Sequence, residues 1–354
     1  MIHLSLIPRI TPVWRGGLLA LLAATLFGLS TPLVQQQGAG LGPFGTAALL
    51  YAGAALVALL LRRPPEREAP MRRSHWPRLL AMAATGAVLG PVALAWGLQQ
   101  TSGSSASLML SLEALFTAAL AWRCYGEVMD RRVLLAMLLL FAGALLLVAE
   151  QGLAGQVQLL GLLAVMLATL AWGLDNTLSR GVADLDPGQV VLVKALLGTA
   201  ATLGLALLAQ EPRPQARQAL ALLAVGATGY GLSLRCYLLA QRAFGASRTG
   251  SVFAFAPFIG ALGAWALGER APGVLLLVAG ALMLGGVLLH LSESHEHDHE
   301  HEALEHEHAH RHDDGHHAHG HETMPAGPHS HSHRHEPLRH AHPHGPDIHH
   351  LHRH

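Results

Sequence analysis

Leu21–Leu33, LLAATLFGLSTPL, returns about 145 residues later as Met166–Leu178, MLATLAWGLDNTL, with Gly28 over Gly173 and Leu29 over Leu174. A second match follows in the same order: Ala114–Glu127, ALFTAALAWRCYGE, resembles Pro257–Glu269, PFIGALGAWALGE, with one residue of length difference. Two ordered matches at nearly one offset imply a duplicated unit. Each copy is apolar and rich in small residues, the composition of helices that sit in lipid and pack closely on one another.

Outward from these matches, the chain alternates apolar runs with short polar connectors, and a lipid core needs about 20 apolar residues per helical span. Ten spans are expected: Leu18–Val34, Gly45–Leu61, Leu79–Leu98, Ser105–Trp122, Val133–Val148, Leu159–Leu174, Val190–Leu208, Ala219–Leu239, Gly250–Leu267 and Val274–Leu291. Hydrophobic residues make up 51% of the chain and charged residues 13%, about half the charged share of an ordinary soluble domain. Backbone in lipid must satisfy its own hydrogen bonds, so spans are helices or closed barrels. Runs without apolar–polar alternation exclude the barrel. The first run follows Arg9 and Arg15 and alone resembles a signal peptide, but nine further spans favour an uncleaved first helix. Cys124 and Cys236 are the only cysteines, so neither a disulfide framework nor a thiolate metal site is implied.

Arginine placement sets the expected orientation, because basic connectors stay in the cytoplasm. Arg9 and Arg15 precede span 1; Arg62, Arg63, Arg67, Arg72, Arg73 and Arg78 join spans 2 and 3; Arg123, Arg131 and Arg132 join spans 4 and 5. The alternate connectors Gln35–Leu41, Gln99–Ser104 and Glu150–Gln158 contain no Lys or Arg. The second half signals more weakly, with Arg180 and Arg242 on the inner side but Arg213, Arg217 and Arg270 on the outer. Both termini are therefore expected in the cytoplasm. Five spans per repeat is an odd number, so the second copy runs upside down relative to the first. That is the inverted-repeat plan of many secondary transporters, in which two halves exchange conformations around a midplane site.

Ten spans in two five-helix repeats, with Gly126-Glu127 after span 4, Gly268-Glu269 after span 9, AWGLDNTLSR at span 6 and GASRTGSVFAFAPFIGA entering span 9, resemble the drug/metabolite transporter superfamily of the EamA type. The resemblance covers about Trp14 to Leu291. It implies an all-α membrane fold in segments 1–13 (cytoplasmic), 14–150 (first repeat), 151–291 (second repeat) and 292–354 (tail), with a cavity between the repeats. It also implies a carrier, mostly of the exporting kind, for amino acids, metabolites or toxic compounds. The family's usual proline in span 4 stands here as Ala114, while Pro257 retains it in span 9.

Charged residues within spans are the candidate machinery, since each costs about 2.5 kcal/mol or more at midplane and normally faces protein or water. Glu113 is the deepest. It either exchanges the coupling proton or serves as structural partner to a cation on a neighbouring helix. Asp175 with Asn176 is a helix-end cap beside Arg180 or, as the resemblance implies, a substrate contact. Lys194 and Arg235 are long enough to snorkel to the interface, with substrate contact as the alternative. Trp96, Trp172, Tyr230 and Tyr237 line the cavity or sit on helix surfaces. Gly28 with Pro32, Pro91, Gly173 and Pro257 mark positions where helices can be interrupted, although Gly28 and Gly173 read better as packing contacts.

The tail differs in kind: 23 of the 26 histidines lie in Ser292–His354. It has few apolar residues and cannot bury a core, so it is expected to be disordered when free. Its own repeat, EALEHEHAHRHDDGHH at Glu302–His317 and EPLRHAHPHGPDIHH at Glu336–His350, argues against a purification tag. Alternating His-x-His does not place both rings on one helix face, but an extended chain lets several imidazoles reach one ion, and imidazole suits zinc, nickel and related ions. The candidate ligands are His295, His297, His299, His301, His306, His308, His310, His312, His316, His317, His319, His321, His340, His342, His344, His349 and His350. Twelve acidic residues against four arginines make the tail negative when its histidines are neutral. At pH 7 about a quarter of free histidines are charged, which brings it near −2.

The sequence thus predicts a secondary carrier of small solutes with a metal-binding cytoplasmic tail. It leaves open a nickel, cobalt or zinc efflux carrier, and a metal-sensing membrane protein that moves nothing. No cofactor is required, and a divalent zinc, nickel or cobalt ion on the tail is the one expected addition. Expected partners are the bilayer and a small-molecule or ion substrate, with room for a homodimer and no nucleic acid. Enzyme chemistry is not expected, since no nucleophile–base pair, phosphate loop or zinc-hydrolase spacing occurs.

Overall fold

The computed structural model describes residues 12–61, 71–125, 131–182, 185–244, 246–270, 273–291, 298–300, 304–310, 329–335 and 339–341. Leu/Ala/Val-rich runs with no polar alternation can satisfy their backbone in lipid only as helices, and the described body is helical. Span 1 is α1 (Pro12–Gln37) and span 2 is α2 (Pro43–Leu60). Span 3 comprises α3 (Trp76–Met82), a π-helical segment Ala83–Leu89 and α4 (Gly90–Leu98). Span 4 is split into α5 (Gly103–Met109) and α6 (Leu112–Tyr125), and span 5 is α7 (Arg131–Ala154).

The second repeat follows the same pattern. Spans 6 and 7 are α8 (Gln156–Ser179) and α9 (Pro187–Leu208). Span 8 comprises α10 (Ala216–Val225), a π-helical segment Gly226–Leu232 and α11 (Ser233–Phe244). Span 9 is split into α12 (Ala246–Phe253) and α13 (Ala256–Ala266), and span 10 is α14 (Val274–Leu291). Among the described residues nine segments are long and apolar enough to cross a membrane, and α14, lying along α7, is the tenth apolar helix. Leu60, Leu135, Leu138, Phe141, Leu203 and Leu207 stand exposed, an apolar outer surface that belongs in lipid. This is a multi-pass membrane protein built of two similar five-helix units.

The irregularities repeat with the sequence. The two π-helical segments share Ala-Thr-Gly at 84–86 and 227–229. In both, the threonine hydroxyl donates to the carbonyl four residues back, Thr85 to Ala81 O at 2.9 Å and Thr228 to Ala224 O at 2.8 Å. The breaks in spans 4 and 9 fall at Leu110–Ser111 and Ala254–Phe255. Packing repeats as well: α2 lies on α9, α7 on α14 and α5 on α13, each span against its own counterpart. Helix α1 packs on α11 and α13, while its counterpart α8 packs on α4 and α6. Each repeat therefore inserts its first helix between the third and fourth spans of the other.

Small residues permit this interlock. A Cβ on Gly28 would lie 2.4 Å from Ala256 O, and one on Gly173 would lie 2.9 Å from Phe116 Cβ, so both glycines are packing contacts and α1 and α8 run through them unbroken. Of the positions expected to interrupt helices, Pro257 follows the break in span 9 and Pro91 follows the π-segment of span 3. Pro32 lies inside continuous α1. On the face opposite the arginine-rich connectors, acidic connector residues cap helix starts of the other repeat. Glu211 accepts from Phe44 N at 3.1 Å and Gly45 N at 2.7 Å, and Glu269 accepts from Ser104 N at 3.0 Å. Glu127, the counterpart of Glu269, lies outside the described residues.

In the tail, the described residues are four short segments that pair antiparallel: β1 (Asp298–Glu300) with β4 (Arg339–Ala341), and β2 (Leu304–His310) with β3 (His329–His335). Alternating polar sequence suits a strand, because every second residue returns to the same side. His295, His297, His301, His312, His316, His317, His319, His321, His342, His344, His349 and His350 lie outside the described residues.

Candidate functional site

The π-segment of span 3 is the hub of the polar interior. A π-turn shifts the backbone out of α-helical register and exposes a carbonyl that a regular turn would bond. The carbonyl of Gly86 accepts from the Trp172 indole Nε1 at 3.0 Å and from the Tyr51 hydroxyl. Its Cα faces the ion pair formed by Asp175 and Lys194. A Cβ at this position would fall 2.2 Å from Asp175 Oδ2 and 2.8 Å from Lys194 Nζ, so only glycine fits without displacing the pair. Spans 2, 3, 6 and 7 thus converge on one backbone position. Among the described residues Asp175 Oδ1 is buried with no hydrogen-bond partner.

Asn176 turns to the other side of α8 and donates from Nδ2 to Glu113 Oε1 at 2.7 Å. Glu113 opens α6, in the first turn after the break in span 4. Its hydrogen-bond partner is a neutral amide, whereas the ammonium of Lys194 bonds Asp175. With all three ionised, Glu113, Asp175 and Lys194 sum to one negative charge inside the bundle.

Aromatic rings adjoin these groups. Phe27 is 6.3 Å from Trp172, 5.9 Å from Tyr230 and 5.5 Å from Phe253 between ring centroids; Tyr51 is 5.8 Å from Tyr230, and Tyr237 is 5.0 Å from Phe253. Offset and edge-on rings at these separations attract one another and present both faces and edges to a ligand. Phe27, Tyr230, Tyr237 and Phe253 are half-buried while Tyr51 and Trp172 are buried.

The related position in the other half is neutral. Gly229, in the π-segment of span 8, is pressed against Ser30, whose hydroxyl donates to Phe27 O at 2.6 Å. Ser30 occupies in the first repeat the place of Asp175 in the second. One half of the interface is charged, and its pseudo-symmetric mate is not.

Of the residues that sequence singles out, Glu113, Asp175, Asn176, Lys194 and Trp172 come together here, with Pro257 at the start of α13. Lys194 does not snorkel: its ammonium bonds Asp175 beside the π-segment of span 3, on which both α8 and α9 pack. Arg235 stands apart and donates from Nη1 to Leu61 O at 2.9 Å, at the end of span 2. Trp96 is 39% exposed on the outer surface and does not join the site. Gly86, Tyr51, Phe27 and Phe253 are missed by sequence reasoning, yet Gly86 carries a readable signal in the Ala-Thr-Gly shared by spans 3 and 8.

The model of the EamA-like transporter family matches residues 14–149 and again 159–292, the two halves that the fold relates. The chain belongs to this family. It is similar to an uncharacterized transporter of Methanothermobacter thermautotrophicus, 27% identical over 303 residues that cover 77% of this chain and 85% of that protein. It is also similar to an uncharacterized protein of Pseudomonas aeruginosa, 32% identical over 246 residues covering 68% of this chain and 82% of that one. A solved crystal structure shares the fold, with TM-score 0.58 and 22% identity over 78% of this chain and 96% of that one. As a member of the EamA-like family, the chain is a membrane transporter.

Proposed function

We propose that this transporter is an inner-membrane secondary carrier that exports small organic solutes bearing an amino group by alternating access, with the gradient of protons as its driving force. The observation that carries this reading is Glu113, a carboxylate midway along span 4, at a helix break and bonded to a neutral amide. Asp175 is neutralised by Lys194, so Glu113 supplies the net negative charge that a proton or an ammonium group can satisfy in turn. The nearby rings give a cationic or aromatic solute a π surface. Competition of proton and solute for one carboxylate couples their movements. The assembled donors are two carboxylates, an ammonium, an amide and aromatic rings, a set better suited to an organic amine than to nickel, cobalt or zinc. We place both termini in the cytoplasm, on the side of the basic connectors, and read the histidine-rich tail as a metal-binding modulator.

The test is flux in vesicles reconstituted with the purified protein, using a panel of labelled amino acids, organic amines and zinc or nickel under an imposed pH gradient. Gradient-driven movement of an amine or amino acid supports the proposal. Movement of metal alone would replace it with metal efflux. No movement of any panel member, with the protein correctly inserted, would count against proton-coupled export of amines.

A further inference from the structure

On the face of the arginine-rich connectors, span 3 begins with residues 71–82, MRRSHWPRLLAM, a stretch with three arginines and no acidic residue. A short 3-10 turn, Arg73–His75, leads directly into α3. Trp76 is 41% exposed and Leu80 50% exposed, so the outer side of this turn presents an indole and a leucine, the residues of a helix end lying at the level of the lipid headgroups. Its inner side packs on the end of span 6. Leu79 and Met82 are buried with Val182 and Leu185, and Leu178 packs against them. Between the start of span 3 and the end of span 6 lies an open pocket of about 410 Å³, within the range of about 300–1,000 Å³ usual for small-ligand sites.

The walls of this pocket are amphipathic. Ser74, His75 and Arg78 give it polar groups, while Pro77, Leu178 and Val182 give it apolar surface. A glycine places the arginine: a Cβ on Gly181 would coincide with the Arg78 guanidinium, so the guanidinium takes the room that a side chain there would fill and bridges the two spans. The backbone sets the histidine. Its Nδ1 accepts from Arg72 N at 3.1 Å, which leaves Nε2 to carry the ring proton and donate it. A planar guanidinium, an imidazole N–H and a hydroxyl are donors suited to phosphate oxygens, and basic pockets between helix ends are where lipid headgroups dock. We infer that this pocket binds the phosphate of an anionic phospholipid headgroup, with Arg78 as its charged ligand and Ser74 and His75 as hydrogen-bond donors. Leu178 and Val182 then meet the first methylenes of the acyl chains. Free phosphate shares the anion chemistry but makes no use of the apolar walls.

The test is equilibrium binding of labelled phosphatidylglycerol to the full-length protein in an uncharged detergent at fixed ionic strength, with unlabelled phosphatidylglycerol, phosphatidylcholine or inorganic phosphate as competitor. Unlabelled phosphatidylglycerol should displace the label, and the other two should not. Arg78→Gln should weaken binding at least about ten-fold, the loss of one charge-assisted contact. Gly181→Ala keeps every charge but displaces the guanidinium, and it should weaken binding comparably. Arg131→Gln with Arg132→Gln, at exposed positions of another basic connector, should leave affinity within about two-fold of the unmodified protein, because two distant surface charges act only through a screened field. Equal weakening in this control, or full affinity in Gly181→Ala, would overturn the pocket and leave general attraction to a basic surface. Displacement by inorganic phosphate as effective as by the lipid would overturn the lipid as ligand, and displacement by phosphatidylcholine would overturn the demand for net negative charge. Absence of phosphatidylglycerol binding by the unmodified protein would overturn the inference outright. Size-exclusion profiles of all variants verify that the helical body is intact.

Discussion

A carboxylate inside a membrane protein is stabilised by a cation, by its own proton or by water, and the two carboxylates of this site differ in which they have. Asp175 has Lys194; Glu113 has, among the described residues, the Asn176 amide as its hydrogen-bond partner. Glu113→Gln keeps a side chain that can bond Asn176 but removes both charge and proton. The variant should insert and purify normally yet lose gradient-driven flux in vesicles, and retention of flux with unchanged gradient dependence would make Glu113 structural. Lys194→Met should act through stability instead, because it leaves a buried charge uncompensated at a cost of about 3–5 kcal/mol. Asp175→Asn combined with Lys194→Met removes both charges and should recover most of the loss in thermal unfolding in detergent. The depth of these residues was legible in the sequence, but the choice of partners was not. Lys194 pairs with Asp175 because α8 and α9 both pack on the π-segment around Gly86, a juxtaposition that apolar runs do not reveal.

At the scale of helices, the close contacts are backbone to backbone, which makes their glycines unequal. A Cβ on Gly53 in α2 would lie 2.2 Å from Leu223 O and 2.7 Å from Ala227 N, whereas one on Gly204 in α9 would meet nothing within 4 Å among the described residues. Neither of the atoms facing Gly53 can rotate away, so Gly53→Ala must push span 2 off span 8, with an expected cost of about 1–3 kcal/mol. Gly204→Ala removes a flexible residue from a helix interior and should be neutral or stabilising by about 0.5–1 kcal/mol. Melting the two variants side by side in one detergent checks both, and equal behaviour would contradict the packing described. The ten spans were readable from apolar runs because lipid imposes a minimum length. Their interruptions were readable only where proline marks them, as at Pro91 and Pro257. Span 4 breaks at Leu110–Ser111 and span 8 turns π-helical at Gly226–Leu232 with no proline in either; of these two irregularities only the π-segment surfaces in the sequence, as the Ala-Thr-Gly it shares with span 3.

For the molecule as a whole, the inverted repeat and the tail make linked demands. Five spans per repeat give an even total, which returns the C-terminus to the side of the N-terminus, proposed as cytoplasmic from the basic connectors; a reporter active only outside the cytoplasm should stay silent when fused after His354, and activity there would overturn that orientation. The tail then shares a compartment with the basic connectors. With neutral histidines it carries twelve acidic residues against four arginines, and the rest of the chain has the matching positive excess. Attraction between an acidic tail and connectors such as Arg72, Arg73 and Arg78 weakens in salt over a screening length of about 10 Å at 0.1 M. Each divalent ion bound by neutral imidazoles adds two positive charges to the tail, so metal opposes the same attraction from the other side. Deleting Ser292–His354 removes both effects without touching any residue of the polar hub. The truncated protein should insert, keep transporting, and lose any change of rate on adding zinc. If truncation instead abolishes flux of every solute in the panel, the tail is part of the transport path rather than a modulator of it.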